Sequence, residues 1–385
     1  MVDSVYVHLG LPKTATTYLQ TILWSNREAL RERGVVVPGS ERRDHLWASR
    51  TVREERKQEH APERHRTAWD RIRTELAEAD GVGLISHEFF AAASAQQALD
   101  MVAALAPAQV HLIVTAREPL GLFTASWQES LKNGASTPMS QYGRTVSRRP
   151  ADIWNWRTLD LRLVLRRWSQ AVPAERIHVL PLDPAAEREE VWHRFAGVLG
   201  LDAEAVAGID LSASFPNSSM GVAQAETLRR INAGLDGFGT AFDRGVYLRS
   251  YLADERLVPQ GGERFWPAPD QIAECRRRGE EAVEYLRGAP FDVVGEVGHL
   301  RVPQVLEERR EPDSVTDAEV AEVAVDLVSR MLHDVRDLRR GRGLDEPGEA
   351  EASTGPRERL SRIGERGARA ARAVRTRLSR DEPDA

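Results

Sequence analysis

Apolar residues along this chain gather in short runs rich in Val, Ile and Leu: SVYVHLG (4–10), GVVVPG (34–39), GVGLISHE (81–88), QVHLIVTARE (109–118) and RIHVLPLD (176–183). Turn-forming or charged residues bound each run, and near-continuous apolar strands of this kind belong to parallel sheets buried on both faces. Between the runs the apolar positions take helical spacing, over Thr16 to Arg33 and over DLRLVLRRWSQAV (160–172). Strand–helix alternation predicts an α/β fold, a three-layer arrangement with a parallel sheet between flanking helices. From about Leu201 the pattern is mostly helical, and TDAE at Thr316 to Glu319 matches a capping box opening a helix that runs to about Leu338. The expected organisation is an α/β domain over residues 1–300, a C-terminal helix within 301–340, and a linker with a basic tail over 341–385. Residues 341–356, GRGLDEPGEAEASTGP, have linker composition. Residues 357–380 are arginine-rich, with Leu360, Ile363, Val374 and Leu378 roughly on one helical face. Their thin apolar stripe reads as a solvated tail; the alternative is an amphipathic helix in weak contact with an anionic membrane surface or an acidic partner.

Composition narrows the function classes. A chain of 385 residues with 41% hydrophobic content can bury a substantial core. Its net charge of −6 gives no overall basic field, so nucleic acid is not an expected partner. A single cysteine, Cys275, excludes an internal disulfide framework and fits a reducing compartment. No Cys/His cluster has metal-ligand spacing. The N-terminal MVDSVYVHLG runs directly into a strand pattern, and no apolar stretch reaches about 18 residues. A soluble, cytoplasmic protein is expected.

The candidate chemistry begins with HLGLPKTATTYLQ (8–20). A strand over 4–9 and a helix opening near Thr16 would present unpaired backbone N–H groups at a helix N-terminus, where the helix dipole favours an anion. Lys13 adds a full positive charge, and the hydroxyls of Thr14, Thr16 and Thr17 add donors, so a phosphate is the expected ligand. The nucleoside-triphosphate loop G-x-x-x-x-G-K-[ST] places a glycine directly before its lysine. Here Pro12 stands at that position and the upstream glycine is missing as well, which weighs against an ATPase or kinase.

PKTATTY resembles the 5′-phosphosulfate loop of the sulfotransferases that use 3′-phosphoadenosine 5′-phosphosulfate, a loop that reads Pro-Lys-[Ser/Thr]-Gly-Thr-Thr and is often followed by an aromatic residue. The resemblance implies a P-loop-like sulfotransferase fold and this nucleotide as donor substrate, with no metal required. It implies that residues Pro12, Lys13, Thr14, Ala15, Thr16, Thr17 and Tyr18 bind the donor. Lys13 would meet the oxygen bridging sulfur and phosphate, the threonines and their amides would hold the 5′-phosphate, and Tyr18 would stack near the adenine. Ala15 stands where the family most often has glycine; the position is expected to open the helix at negative φ, where a Cβ is tolerated.

A second constellation follows in VHLIVTAREPLGLFTASWQESL, a strand ending in Arg117, then a proline and a helix. In the family an arginine at such a strand end and a serine on the next helix bind the donor's 3′-phosphate, and an arginine fork suits a terminal phosphate. Arg117 matches the arginine. The usual serine position is Ala125, leaving Ser126, or Thr124, to complete the site. Sulfuryl transfer also needs a base for the acceptor's proton. The strand at 81–86 ends in His87 and Glu88, and family members use either residue type near this point; Glu88 is the first choice and His87 the second. His8 reads as a packed structural histidine. Asn217 and Ser219, in FPNSSMGVAQAETLRRIN (215–232), are further candidates for the donor or acceptor site. Residues 128–156, with Trp154, Trp156, Arg144, Arg148 and Arg149, are expected to form much of the acceptor pocket. The expectation is a bacterial-type sulfotransferase acting on a hydroxyl or amine of a carbohydrate, lipid or small-molecule acceptor. The alternatives are a non-catalytic nucleotide- or glycan-binding protein on the same fold and, less favoured, a P-loop nucleotide kinase.

Overall fold

A computed structural model describes residues 1–212 and 219–341. Asn217 and the 357–380 tail lie outside the described residues. The chain divides into two compact units, one made of Met1–Leu131, Thr137–Ser219 and Phe265–Asp313, the other of Lys132–Ser136, Met220–Arg264 and the chain from Ser314 onward.

The first unit is α/β, as its alternating pattern predicts. Its strands are β1 (Ser4–His8), β2 (Val35–Val36), β3 (Val82–Ser86), β4 (Gln109–Ala116), β5 (Ile177–Pro181) and β6 (Asp292–Val293), all parallel, in the order β2-β3-β1-β4-β5-β6. Five of the six fall inside the apolar runs. β6 lies in the region expected to be helical; it is two residues long and is recruited by β5, through Val294 N–H to Val179 O at 2.9 Å.

The single helix expected over Thr16 to Arg33 is two, α1 (Thr16–Ser25) and α2 (Arg27–Glu32). Asn26 makes the break. Its side-chain amide donates to Ile22 O and to Asp210 O, both at 2.9 Å, while its own carbonyl oxygen accepts Asp210 N–H. An Asn side chain that competes for backbone groups interrupts a helix in this way. Further along come α3 (Arg43–Val52) and α4 (Pro119–Lys132). Leu19, Ile22 and Leu23 of α1 bury their side chains against Leu84, Ile113 and Leu180 of the sheet and against Trp192 and Phe195. Each such aliphatic side chain contributes about 1.5–3 kcal/mol on full burial, so the loop that precedes α1 is held by a well-packed base. From β1 the chain crosses to one side of the sheet, and from β4 to the other. The carboxyl ends of β1 and β4 therefore flank a topological switch point, the place where open α/β sheets bind ligands.

In the second unit, a helix at Val222–Gly234 and a π-helical stretch at Arg244–Leu257 accompany α5 (Asp317–Arg339). The capping box expected at Thr316 is formed: Glu319 N–H donates to the Thr316 hydroxyl at 3.3 Å and Thr316 N–H donates to the Glu319 carboxylate at 2.8 Å. Within this unit Arg256 makes a buried, two-pronged pair with Asp334 at 2.7 and 2.8 Å.

Candidate active site

After His8 the chain does not turn at once. Leu9 and Leu11 donate to Ile113 O and Thr115 O, both at 2.9 Å, so the backbone continues alongside β4. Reversing into α1 then takes left-handed residues: Lys13 at φ 69° and Ala15 at φ 62°. The expectation of negative φ at Ala15 is thereby corrected. The physical reason is that the chain must leave β4 and enter a helix within a few residues, and a Cβ in the left-handed region costs roughly 1–2 kcal/mol relative to the right-handed one. Gly10, also left-handed, admits no side chain, because a Cβ there would lie 2.4 Å from Thr16 Cγ2.

A buried polar relay holds the strained turn in place. The Thr14 hydroxyl lies 2.5 Å from Leu11 O and 2.8 Å from the Thr115 hydroxyl. Thr115 in turn meets His8 Nε2 at 3.2 Å, and His8 Nδ1 meets the Ser86 hydroxyl at 2.8 Å. All four side chains are buried, so the relay ties the ends of β3, β1 and β4 to the loop. Burial pushes His8 down to about 4, against the pull of Glu88, so the relay is uncharged at neutral pH. Left-handed residues thus stand on either side of Thr14. α1 has no acidic residue in its first turn, and Ala15 offers no capping side chain. The donors of that first turn are left for another acceptor.

The seven loop residues meet different surroundings. Pro12, Thr14 and Thr16 are buried, Lys13 and Ala15 partly so, and Thr17 is exposed. Tyr18 is packed in the core with the Arg188 guanidinium 4.5 Å from its ring centroid, and its hydroxyl is buried without a hydrogen-bond partner. The Lys13 ammonium lies 3.1 Å from the carboxylate of Glu129 on α4, whose side chain is only 2% exposed. Sequence reasoning missed Glu129. It sits 116 positions from Lys13, and a glutamate in a helix carries no local mark of such a partner.

At the end of β3, His87 and Glu88 open a 3-10 turn (Glu88–Ala92). His87 N–H donates to His8 O at 3.1 Å, and His87 Nδ1 accepts Phe89 N–H at 3.1 Å. Burial pushes His87 down to about 4; Glu88 opposes this, and Arg53, Arg50 and Arg42 reinforce it. For Glu88 burial works upward, but His87, a backbone amide and the Gln20 side chain together hold its carboxyl below the ordinary range. At neutral pH the pair is a neutral imidazole beside a carboxylate, 3.7 Å apart. Gln20 is a second residue that sequence reasoning missed. Its amide nitrogen donates to Glu88 at 3.2 Å and its oxygen accepts from Arg42 at 3.2 Å, linking α1, the β3 end and the residue before α3. The turn is tethered from outside by Arg157 Nε to Ala92 O at 2.8 Å, and by Arg167 to Ala91 O at 2.8 Å and Ala93 O at 2.9 Å. Burial brings Arg167 down to about 9, so it still carries its charge at neutral pH.

At the end of β4 the Arg117 side chain is 38% exposed and lies 3.6 Å from Glu118. Glu118 accepts the Leu120 and Gly121 amides at 2.6 and 2.7 Å, capping α4. The guanidinium rests over Gly121, where a Cβ would come within 2.3 Å of it. Thr124 shares that turn, its hydroxyl donating to Gly121 O at 3.1 Å. Ser126 instead is fully buried, with its hydroxyl 2.7 Å from that of Tyr142.

No family model matches the chain, and no curated protein does. Among solved structures, a sulfotransferase from Alicyclobacillus acidocaldarius is similar at 14% sequence identity and a TM-score of 0.33, covering 55% of this chain and 85% of that one.

Of the expected acceptor-side residues, Trp154 lies beside the candidate base: its ring is 6.0 Å from that of Phe89, over which Arg53 sits at 5.6 Å. Trp156 is core, stacked on Phe123 and covered by Arg278. Arg144 pairs with Asp270 and Arg149 with Asp152, while Arg148 contributes its carbonyl to Arg157. Ser219 is exposed. Among the described residues no group of His, Cys, Asp or Glu is arranged to hold a metal ion, and no helix is long and apolar enough to cross a membrane.

Proposed function

We propose that this chain is a sulfotransferase that moves a sulfuryl group from 3′-phosphoadenosine 5′-phosphosulfate to a hydroxyl or amine of a carbohydrate, lipid or small-molecule acceptor. One observation supports the reading: the carboxyl ends of three adjacent central strands, β3, β1 and β4, bear in that order a histidine beside a glutamate, a left-handed turn with a lysine, and an arginine.

The donor, when bound, supplies an electrophilic sulfur and a phosphate leaving group. The rest falls to the chain. The α1 amides, Thr16, Thr17 and Lys13 suit the 5′ side, and Arg117 with Thr124 suits the 3′-phosphate. Glu88 is the better base. Because Phe89 N–H donates to His87 Nδ1, the proton of the neutral imidazole sits on Nε2, which leaves that nitrogen a donor. Glu88 takes the acceptor's proton as the acceptor oxygen bonds to sulfur; Lys13 and the α1 N-terminus neutralise the charge left on the departing phosphate as its bond to sulfur breaks. For this, Lys13 must trade Glu129 for the ligand.

Titration with adenosine 3′,5′-bisphosphate tests the reading. Magnesium-independent binding and transfer of label from a labelled donor are expected. Absence of binding at high micromolar concentration, or binding that needs magnesium and prefers ATP, would sink it. Tight binding without transfer to any acceptor would move the chain to a non-catalytic binding protein on the same fold.

A further inference from the structure

Helix α5 carries two apolar faces. One, with Val323 and Leu327, is buried within its own unit. The other bears Val325, Val328, Leu332 and Val335, which are 70, 53, 64 and 45% exposed. Their spacing of three, four and three residues is the seam of a coiled coil, and over 23 residues the helix is about 34 Å long. Charges of opposite sign flank the seam, Glu322 toward one end and Arg336 toward the other, while Asp326 and Arg330 pair with each other on the side away from it. A membrane-surface helix would instead be flanked mainly by basic residues.

We propose that a second copy of this chain covers the seam, helix against helix and antiparallel. A parallel pair would set Arg339 against itself in the seam and Asp317 beside Glu322, two like-charge contacts. The antiparallel register centred near residue 330 removes both. It layers Val325 on the partner's Val335 and Val328 on the partner's Leu332, lays Arg339 over small Ala321, and puts Glu322 beside the partner's Arg336. The proposal is independent of the donor and acceptor chemistry.

Sedimentation velocity on the full chain, from about 1 to about 100 μM, tests it. A reversible dimer is expected. Leu332→Glu should leave a monomer across the range with the melting temperature unchanged at the lowest concentration, where the parent is also monomeric, since Leu332 is 64% exposed in the single chain. Glu322→Arg should weaken the dimer, and adding Arg336→Glu should restore it. With Cys275 buried, Ser329→Cys, which faces its own copy in this register, should be joined by a short bis-maleimide, whereas Ala318→Cys should not. A monomer at every concentration, a dimer that survives Leu332→Glu, or equal cross-linking at both cysteines overturns the proposal.

Discussion

The two cationic strand ends, at β1 and β4, are built on opposite plans. At β1 the turn is strained and rests on a buried relay: Lys13 and Ala15 are left-handed, the relay from Ser86 to Thr14 is sealed from water, and the partly exposed Lys13 is paired with a buried glutamate. At β4 the backbone is relaxed and Arg117 lies on Gly121 in partial contact with solvent. A preorganised turn suits a site where charge develops during reaction, because the donors need not move at that moment. A looser arginine suits a site that only has to hold a phosphate.

The contrast breaks most visibly at its two cations. Lys13→Ala is expected to lower turnover on the order of 100-fold or more while changing affinity for adenosine 3′,5′-bisphosphate far less, as read by steady-state kinetics and calorimetric titration. Arg117→Ala should do the reverse and weaken bisphosphate binding by roughly 10-fold or more, the loss typical of a charge-assisted hydrogen bond. If the two variants exchange these signatures, the division of labour between the strand ends is wrong.

Glu129 sharpens the comparison, because under the proposed reading it would compete with the ligand for Lys13. Glu129→Gln keeps an acceptor near the ammonium and removes the negative charge, so bisphosphate binding should tighten several-fold; unchanged or weaker binding would show that the glutamate aims the lysine rather than restrains it. Acid should act on both sides, and most on β1 and β3. His8, His45, His87 and His111 each sit near about 4 through burial, against about 6.5 in an unfolded chain. Between those values the unfolded chain binds protons that the folded chain refuses, so the stabilisation is complete above about 6.5 and is lost as pH falls toward 4. His8, His45 and His87 belong to the β1–β3 side, and His111 stands in β4 beside His178. Melting temperature should fall steadily from pH 6.5 downward, and hydrogen exchange should quicken first at 82–88. The smallest effect expected is a gain. Ala15→Gly relieves a left-handed Cβ and should add up to about 1 kcal/mol, offset in part by the freer unfolded chain, read as a melting-temperature rise of a few degrees.

Legibility from sequence follows the same divide between local and distant causes. β1, β3, β4 and β5 were legible because strands buried on both faces are apolar throughout, and the capping box at Thr316 because its partners lie three residues apart. The cationic and hydroxyl-rich character of PKTATT was legible as types of side chain. The φ of Ala15 was not, since it is set by Leu9 and Leu11 following β4, a pairing made a hundred residues away. Gln20, Glu129 and the inward turn of Ser126 toward Tyr142 escaped for that reason as well. The break at Asn26 depends on Asp210. The two residues of β6 are a strand only because β5 is beside them.

The tether of the Glu88–Ala92 turn also makes the candidate base answerable to distant sequence. Three successive carbonyls, those of Ala91, Ala92 and Ala93, find their donors on Arg157 and Arg167. A substitution at either arginine, 65 to 76 positions further along the chain, would leave a carbonyl of that turn without its donor and loosen the segment that carries Glu88.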